Sequence, residues 1–375
     1  MKRTRILLIV LALVSLVGLF TTRVQRKMPD FEVYYTAAAR AHATQPLYRA
    51  EDGHFQFKYL PAFAVIASPL ALLPLSAAKA AWFGVSAVLM LVLLWLSLRA
   101  LPTVHRPPAL LLAATFVAMA KFYAHELVLG QVNLLFGVLA VLAIVWLKRG
   151  RDAGAGVLLA LAVVVKPYGA IFAPWLAAGR RTTAFASMLS ALVLLLLLPA
   201  VSYGWTGNLR LLASWWQTVT TTTAPNLMNP DNVSLGSLFA KYLGQGTTST
   251  LLAASTTLAL LALTGIVIAG RGRIVAPETL EGSVLLLLIP LLSPQGWDYV
   301  LLISTPAVML LLDDLGSLPR GLRYATAAAI AIVAFAIYDL VGRDAYAAFM
   351  QLSIVTMCAV IEAAALVTLR FRQVA

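Results

Sequence analysis

The sequence predicts an all-α polytopic membrane protein that forms a single domain over residues 1–375. The first observation is composition: 61% of the 375 residues are hydrophobic and 11% are charged, too few charges to cover a soluble domain of this length. The second is pattern, because apolar runs alternate with short polar breaks along the chain. We therefore expect about twelve transmembrane helices. The predicted spans are 6–22, 77–98, 108–122, 133–147, 153–165, 168–178, 183–203, 250–269, 281–293, 299–313, 322–340 and 346–369.

The N-terminus resembles a signal peptide, since Lys2-Arg3-Thr4-Arg5 precedes the apolar run 6–20. No small-x-small cleavage sequence follows this run. We therefore expect an uncleaved anchor that starts in the cytoplasm.

The net charge of +13 is distributed in short basic clusters between the apolar runs. This distribution is typical of membrane topology and of contact with anionic lipids, and it argues against a nucleic-acid partner. We start from a cytoplasmic N-terminus and count the predicted membrane crossings along the chain. This crossing count places nearly all the basic clusters on the cytoplasmic, or inner, side. The inside clusters are 99–106, 148–151, 180–181, 271–273, 320–323 and 370–372. The same count places Arg23, Arg26 and Lys27 on the outer side. They are either an exception to the preference of basic residues for the inner side, or they contact anionic headgroups or a phosphate.

The predicted outer breaks hold most of the carboxylates and several aromatic residues. They are residues 23–60, 121–133, 166–168, 203–249, 294–298 and 339–345. Because the inner breaks are short and basic, we expect the chemistry on the outer side. The segment 60–75 contains Pro61, Pro69 and Pro74, which predicts a re-entrant or interfacial piece.

Several common catalytic motifs are absent from the sequence. It contains no GxxxxGK[ST] phosphate loop, HExxH, CxxC or GxSxG, and its four histidines do not occur at metal-ligand spacing. We therefore predict no nucleotide-driven enzyme, no cofactor and no dedicated metal site.

The stretch 28–35 in the first outer loop is the best candidate for chemistry. It opens an amphipathic segment, expected to be an interfacial helix, and it carries Asp30, Glu32, Tyr34 and Tyr35. A charge beside lipid is costly and is therefore usually functional. Asp30 can cap the helix, act as a general base, or do both. Glu32 points to another face of the helix, so we do not expect the two carboxylates to share a metal.

Two lysines are candidates for binding a phosphate. Lys166 ends the apolar run 157–165 and precedes Pro167, so it needs a partner or must extend to the membrane surface. Lys58 and Tyr59 lie where the first loop returns to the membrane. They fit either interfacial anchoring or phosphate contact.

The remaining candidates are polar residues at outer turns. Gln131 and Asn133 can bind a sugar or form a polar helix start. Asn232 lies in an Asn-x-Ser sequence and can equally cap a loop. Trp297 and Asp298 lie in a tight turn, where Asp298 is either a helix cap or a substrate ligand.

Together these motifs resemble glycosyltransferase family 87, the polyprenyl-phosphate-mannose-dependent mannosyltransferases with the GT-C fold. The resemblance runs in order from about residue 28 to 300. The matching residues are Asp30-Phe31 with Tyr34-Tyr35, Pro46-Leu47-Tyr48, Phe57-x-Tyr59-x-Pro61, Gly130-Gln131-x-Asn133, Lys166-Pro167, Asn232-x-Ser234-Leu235, and Ser293-Pro294 with Trp297-Asp298. Two departures are Thr44-Gln45-Pro46, where the family usually has a glycine, and Tyr299, where it often has a histidine whose role cannot be carried over.

The resemblance implies transfer of a hexose, mannose in this family, from a polyprenyl-phosphate sugar to a lipid-linked or glycan hydroxyl, with inversion. It implies a multi-pass protein of the bacterial inner membrane with its active site on the external side. Asp30 is then the base, and Lys166 and Lys58 bind the donor phosphate, with Arg26 and Lys27 in reserve. The implied substrate contacts are Glu32, Tyr34, Tyr35, Tyr59, Gln131, Asn133, Asn232, Trp297 and Asp298.

Three other functions stay open at this point. A lipid-linked sugar transporter or flippase would bind near the bilayer midplane between repeats, and this sequence shows no repeat. A glycan ligase or polymerase would use the same kind of lipid-phosphate donor. A non-catalytic membrane scaffold would use none of these residues for chemistry.

Overall fold

The computed structural model describes residue 14, residues 16–273 and residues 275–372. Within these ranges the chain is helical, and its only extended pairing is an isolated antiparallel bridge between Asn232 and Trp297. Residues 6–13 and 15 of the predicted first span lie outside the described residues. Residues 16–19 are helical and run into a π-turn at Phe20–Val24.

The helices, numbered in chain order, are α1 Pro29–His42, α2 Pro61–Ala67, α3 Leu75–Ala100, α4 Pro108–Leu129, α5 Asn133–Lys148, α6 Asp152–Val165, α7 Phe172–Ala178, α8 Thr182–Leu197, α9 Ala200–Thr223, α10 Leu235–Leu243, α11 Thr247–Ala269, α12 Pro277–Leu292, α13 Thr305–Asp313, α14 Arg320–Phe335, α15 Tyr338–Val341, α16 Arg343–Gln351 and α17 Ile354–Arg372. Short 3₁₀ turns at Ala50–Phe55, Ser68–Leu72, Pro167–Ile171 and Asp298–Ser304 connect some of them. Many boundaries follow proline or glycine, as expected for residues that start or stop helices.

Four of the described helices, α3, α4, α11 and α17, are long and apolar enough to cross a membrane. Helices α8 and α9 meet at a bend of 92° and form either one broken span or a re-entrant pair. Helices α5 and α6 are apolar but have 16 and 14 residues, fewer than the ~20 that a simple span needs. The membrane-spanning character is thus confirmed, whereas the count of twelve and the interfacial position of α1 stay predictions.

Three predicted boundaries need correction. The sequence predicts a loop over the outer break 203–249, but α9 and α10 occupy much of it. The span predicted at 299–313 starts as a 3₁₀ turn and becomes α-helical only at Thr305. The last span, predicted at 346–369, is interrupted after α16, where Ser353 adopts a left-handed backbone with φ of 53°.

The centre of the bundle is built from α5, α6, α12 and α13. Almost every residue of α12 is buried, including Glu278 and Glu281. Several predicted inner breaks meet at one end of this core: the Lys148 ammonium donates to the carbonyls of Ala100 and Leu101, and Arg181 reaches Glu278. We call this the basic end. The residues of most predicted outer breaks surround a cavity elsewhere in the bundle.

Candidate active site

A cavity of about 340 Å³ lies where α1, the 54–59 segment, the start of α5, α9 and the 293–300 turn come together. This volume falls in the range of small-molecule sites. Seven sequence-predicted residues line it: Asp30, Tyr34, Lys58, Tyr59, Gln131, Lys166 and Trp297. We refer to it as the Asp30 cavity.

The first turn of α1 carries Asp30 into this cavity. Met28, which precedes the helix, has a left-handed backbone with φ of 63°, and its N–H donates to the Val128 carbonyl at 3.0 Å. Pro29 starts the helix, where its missing N–H costs nothing. The residue at the cap position is therefore Met28, and the capping role considered for Asp30 is wrong.

Gly130 allows α1 to approach the end of α4. Its φ is +71°, and a Cβ at this position would lie 2.7 Å from the Phe31 Cβ and 2.9 Å from the Met28 Cε. Its carbonyl accepts a hydrogen bond from the Trp82 indole N–H at 3.0 Å. Only glycine meets both the conformation and the close contact, and the next residue, Gln131, is thereby placed beside Asp30.

The Gln131 amide lies between the Asp30 carboxylate and the Lys166 ammonium. Its Nε2 donates to the Asp30 Oδ2 at 2.8 Å, and its Oε1 accepts from the Tyr34 hydroxyl at 2.7 Å and from the Lys166 Nζ at 3.4 Å. Lysine only donates and an ionised carboxylate only accepts, so each end of the amide faces the group it can bond. The Tyr34 and Tyr59 hydroxyls share a further hydrogen bond of 2.6 Å.

Asp30 keeps an available carboxylate oxygen. Its Oδ1 accepts no hydrogen bond from the described residues, and Asp30 forms no ion pair within those residues. Burial raises the pKa of Asp30, while the Gln131 hydrogen bond and the charge of Lys166 oppose that rise. A carboxyl group whose pKa is raised accepts a proton more readily than an exposed one.

The two predicted phosphate-binding lysines line the same cavity. The Lys166 Nζ lies 4.9 Å from the centre of the Tyr59 ring and 6.0 Å from that of Tyr168, within cation–π range. Burial lowers the pKa of Lys58, an effect that the nearby Asp30 opposes. Arg26 and Lys27, the reserve candidates, do not line the cavity.

Asn133 supports the cavity from behind and does not line it. Its side chain is fully buried, donates to the Glu126 Oε2 at 2.8 Å and accepts from the Tyr168 hydroxyl at 2.9 Å. The Glu126 Oε1 also accepts from the Leu134 backbone N–H at 2.9 Å. Glu126 and Asn133 thus fix the start of α5 and the orientation of Tyr168.

Asn232 and Asp298 also lie outside the cavity lining. Asn232 is buried, and its amide donates to the Asn226 and Pro294 carbonyls at 3.1 and 2.9 Å. Asp298 is buried and lies 3.5 Å from the His125 Nδ1. Both residues hold the 293–298 turn in place, so the structure places them as supports of the site.

Glu32 and Tyr35 point away from the Asp30 cavity. The Glu32 carboxylate pairs with the Lys79 ammonium at 2.5 Å, and Lys79 also donates to the Lys27 carbonyl at 2.8 Å. The Tyr35 hydroxyl donates to the Leu73 carbonyl at 2.8 Å. These contacts anchor α1 to α3 and to the segment before it.

Four Phe, Tyr and Trp residues of the cavity wall were not among the predicted site residues: Phe55, Tyr168, Trp215 and Tyr299. Tyr168 and Tyr299 directly follow predicted motifs, Lys166-Pro167 and Trp297-Asp298, so the motif signal could have included them. Trp215 comes from α9, and its indole N–H donates to the Lys58 carbonyl at 3.1 Å. No sequence signal connects Trp215 to the first loop.

No group of three or more metal-ligating side chains occurs within the described ranges. The absence of a dedicated metal and of a cofactor stays a prediction.

Comparison with known proteins identifies the family. The model of glycosyltransferase family 87 matches residues 57–294, which is more than half of the chain. No curated protein and no solved structure gives a match. The chain therefore belongs to glycosyltransferase family 87 and is a membrane glycosyltransferase. The matched segment contains Lys58, Gln131 and Lys166, and Asp30 lies before it.

Proposed function

We propose that this family 87 glycosyltransferase is a GT-C enzyme that transfers a hexose from a polyprenyl-phosphate sugar to a hydroxyl of a lipid-linked or glycan acceptor. The hexose we propose is mannose. One observation carries the proposal: Asp30 and Lys166 lie in one cavity at opposite ends of the Gln131 amide. This arrangement keeps a base and a cation close together without pairing them.

In the proposed reaction Asp30 is the general base. The acceptor oxygen attacks the anomeric carbon while its proton passes to the free Oδ1 of Asp30. The bond from the anomeric carbon to the phosphate oxygen breaks, and its electron pair stays on that oxygen. Lys166 and Lys58 stabilise the charge on the departing polyprenyl phosphate. A phosphate is a good leaving group, so no general acid is needed.

The proposed transfer inverts the configuration of the sugar. A double displacement with retention would need a carboxylate nucleophile in addition to an acid–base residue. Asp30 is the one carboxylate among the residues that line the cavity in the described chain. A lining with one carboxylate fits a single displacement, which inverts the anomeric carbon.

We place the cavity on the external face of a bacterial inner membrane. Lys148, Arg181 and Arg271 lie together at the basic end, and basic residues favour the cytoplasmic side. The cavity is built from the breaks that the crossing count puts outside. Lipids surround the apolar helices in this arrangement.

Replacing Asp30 by Asn tests the proposal directly. Asp30→Asn should lower kcat for transfer from a polyprenyl-phosphate sugar by about 10²–10⁴-fold, because the amide cannot take up the proton. Glu51→Gln, an exposed carboxylate in the same loop, is the matched control and should keep wild-type kcat. A wild-type rate for Asp30→Asn would exclude Asp30 as the base. Movement of intact donor across sealed vesicles without transfer would instead support a transporter.

Replacing Lys166 by Ala tests the donor-phosphate role. Lys166→Ala should raise the KM for the donor by about tenfold or more, since a charge-assisted contact to the phosphate is lost. Lys148→Ala, at the basic end, should leave the donor KM unchanged. An unchanged donor KM in Lys166→Ala would reject this assignment.

A further inference from the structure

A second cavity of about 220 Å³ adjoins the Asp30 cavity along α1. The two cavities share Val33 and Phe55 in their walls. Pro29 lines the second cavity, and the next residue, Asp30, lines the first. The first turn of α1 therefore separates the two spaces and carries the carboxylate at their junction.

The polar wall of the second cavity comes from one face of α1 and from Asp52 of the Ala50–Phe55 turn. Glu32, Thr36 and Arg40 recur at intervals of four residues, so they lie one above the other on the helix. The Arg40 guanidinium binds both oxygens of Asp52 at 2.5 and 2.8 Å. Glu32 pairs with Lys79 at 2.5 Å. Each charged group of this wall is thus matched by a partner of opposite sign.

The two cavities differ in charge. The described lining of the Asp30 cavity has two lysines, Lys58 and Lys166, against a single carboxylate, which suits an anionic group. Among its described lining residues the second cavity has no surplus cation, because Arg40 is engaged by Asp52. Desolvating a phosphate there would lack compensation. The second cavity therefore suits an uncharged ligand.

Unused hydrogen-bonding groups remain in the second cavity. The Thr36 hydroxyl and the Glu32 Oε2 make no hydrogen bond with the described residues, and Thr36 is exposed. Phe55 gives an aromatic surface next to these groups. A wall that combines one aromatic surface with a few donors and acceptors is typical of a binding pocket, and it matches the apolar and hydroxyl faces of a sugar ring.

We propose that the second cavity binds an uncharged, hydroxyl-bearing part of the acceptor, such as a sugar ring or another polyol. This inference rests on the proposed transferase function. With the donor phosphate at Lys58 and Lys166, the acceptor hydroxyl enters past Val33 and Phe55 and reaches the Asp30 carboxylate. The acceptor thereby approaches from a direction that the donor phosphate does not occupy, as a single displacement requires.

The test fills the second cavity without changing the first. Thr36→Phe projects a ring into the second cavity, and His42→Phe, an exposed position of the same helix outside both cavities, is the matched control. The acceptor probes are neutral octyl hexosides and their 6-phosphates, assayed with a polyprenyl-phosphate hexose. Thr36→Phe should raise the KM for the neutral probes by about tenfold or more, as overpacking excludes the ligand, with an unchanged donor KM. Wild type should prefer the neutral probe to its phosphate.

The outcomes separate this inference from the proposed function. Transfer by wild type with an unchanged acceptor KM in Thr36→Phe would overturn the inference and leave the proposed function standing. A preference for the phosphorylated probe would overturn it as well. Failure of wild type to transfer to any probe or to consume the donor would reject both. The same rise in KM for His42→Phe would show that the second cavity is not the cause and would overturn the inference.

Discussion

The basic end and the Asp30 cavity use the same kinds of charged residue in different ways. At the basic end, Arg181 and Arg271 contact Glu278 at 2.5 and 3.2 Å, and Arg271 also reaches Glu281 at 3.2 Å. In the Asp30 cavity the carboxylate meets a neutral amide, and the cation lies on the other side of that amide.

The partners of a carboxylate decide whether it stabilises the fold or remains available for a reaction. A carboxylate held by two guanidinium groups ties helices together, and its negative charge is already balanced by theirs. A carboxylate held by a neutral donor on one oxygen can still accept a proton on the other. The neutral residue between Asp30 and Lys166 is therefore as important to the site as the charges themselves.

The largest effect on stability is expected from Glu278→Gln. Glu278 is buried, with a side chain that is 5% exposed, and its loss leaves two guanidinium groups without their shared partner. Arg181 keeps Asp152 at 3.5 Å and Arg271 keeps Glu281 at 3.2 Å, so we expect the free energy of unfolding to fall by about 2 kcal/mol, measured as a lower Tm of the purified protein. At a temperature where the variant is folded, kcat should match that of wild type.

Asp30→Asn is the counterpart of that experiment and should give the reverse pattern. Asp30 forms no ion pair with the residues that the structure describes, so the Tm of Asp30→Asn should stay at or above the wild-type value while kcat falls. An equal loss of Tm in Glu278→Gln and Asp30→Asn would contradict the distinction between the basic end and the Asp30 cavity.

Much of the cavity could be predicted from sequence because short motifs mark it. Gly130, Gln131 and Lys166 stand out as a glycine turn, an amide and a lysine after an apolar run. The motifs do not show which side chain of each pair faces the cavity. Asn133 and Asp298 belong to the same motifs as Gln131 and Trp297, yet they support the wall from behind.

The contacts that organise the site could not be predicted, because they join distant parts of the chain. Asp30 and Gln131 are separated by 101 residues, and the buried Lys79 that holds Glu32 reads in the sequence as an ordinary helix residue. The sequence also does not predict the helix bends. Composition alone does not show that α9 turns by 92° from α8, or that the Trp215 indole thereby reaches the Lys58 carbonyl.

An intermediate effect is expected from Gln131→Leu, which removes the neutral spacer. The Gln131 hydrogen bond favours the ionised form of Asp30 and lowers its pKa. Without it the pKa rises, and because the base must be ionised, the acid limb of the kcat profile should move to higher pH. Measuring kcat across pH for wild type and Gln131→Leu checks the direction of this shift.

The matched control for this shift is Gln56→Leu. Gln56 lines the same cavity, but its amide donates to the Ala50 carbonyl at 3.2 Å and does not contact Asp30. The acid limb of the kcat profile of Gln56→Leu should stay at the wild-type pH. Equal shifts in both variants would show that cavity polarity in general, and not the Gln131 contact, sets the pKa of Asp30.

The smallest effect is expected from Lys58→Met. Lys58 lines the cavity without the two aromatic contacts that hold Lys166, so we expect the donor KM to rise only about threefold. Burial lowers the pKa of Lys58, so its ammonium loses its proton at a lower pH than an exposed lysine does. The gap in donor KM between wild type and Lys58→Met should therefore be full at low pH and shrink as pH rises. Measuring donor KM for both proteins across pH checks this, and a gap that widens with pH would show that Lys58 does not act through its charge.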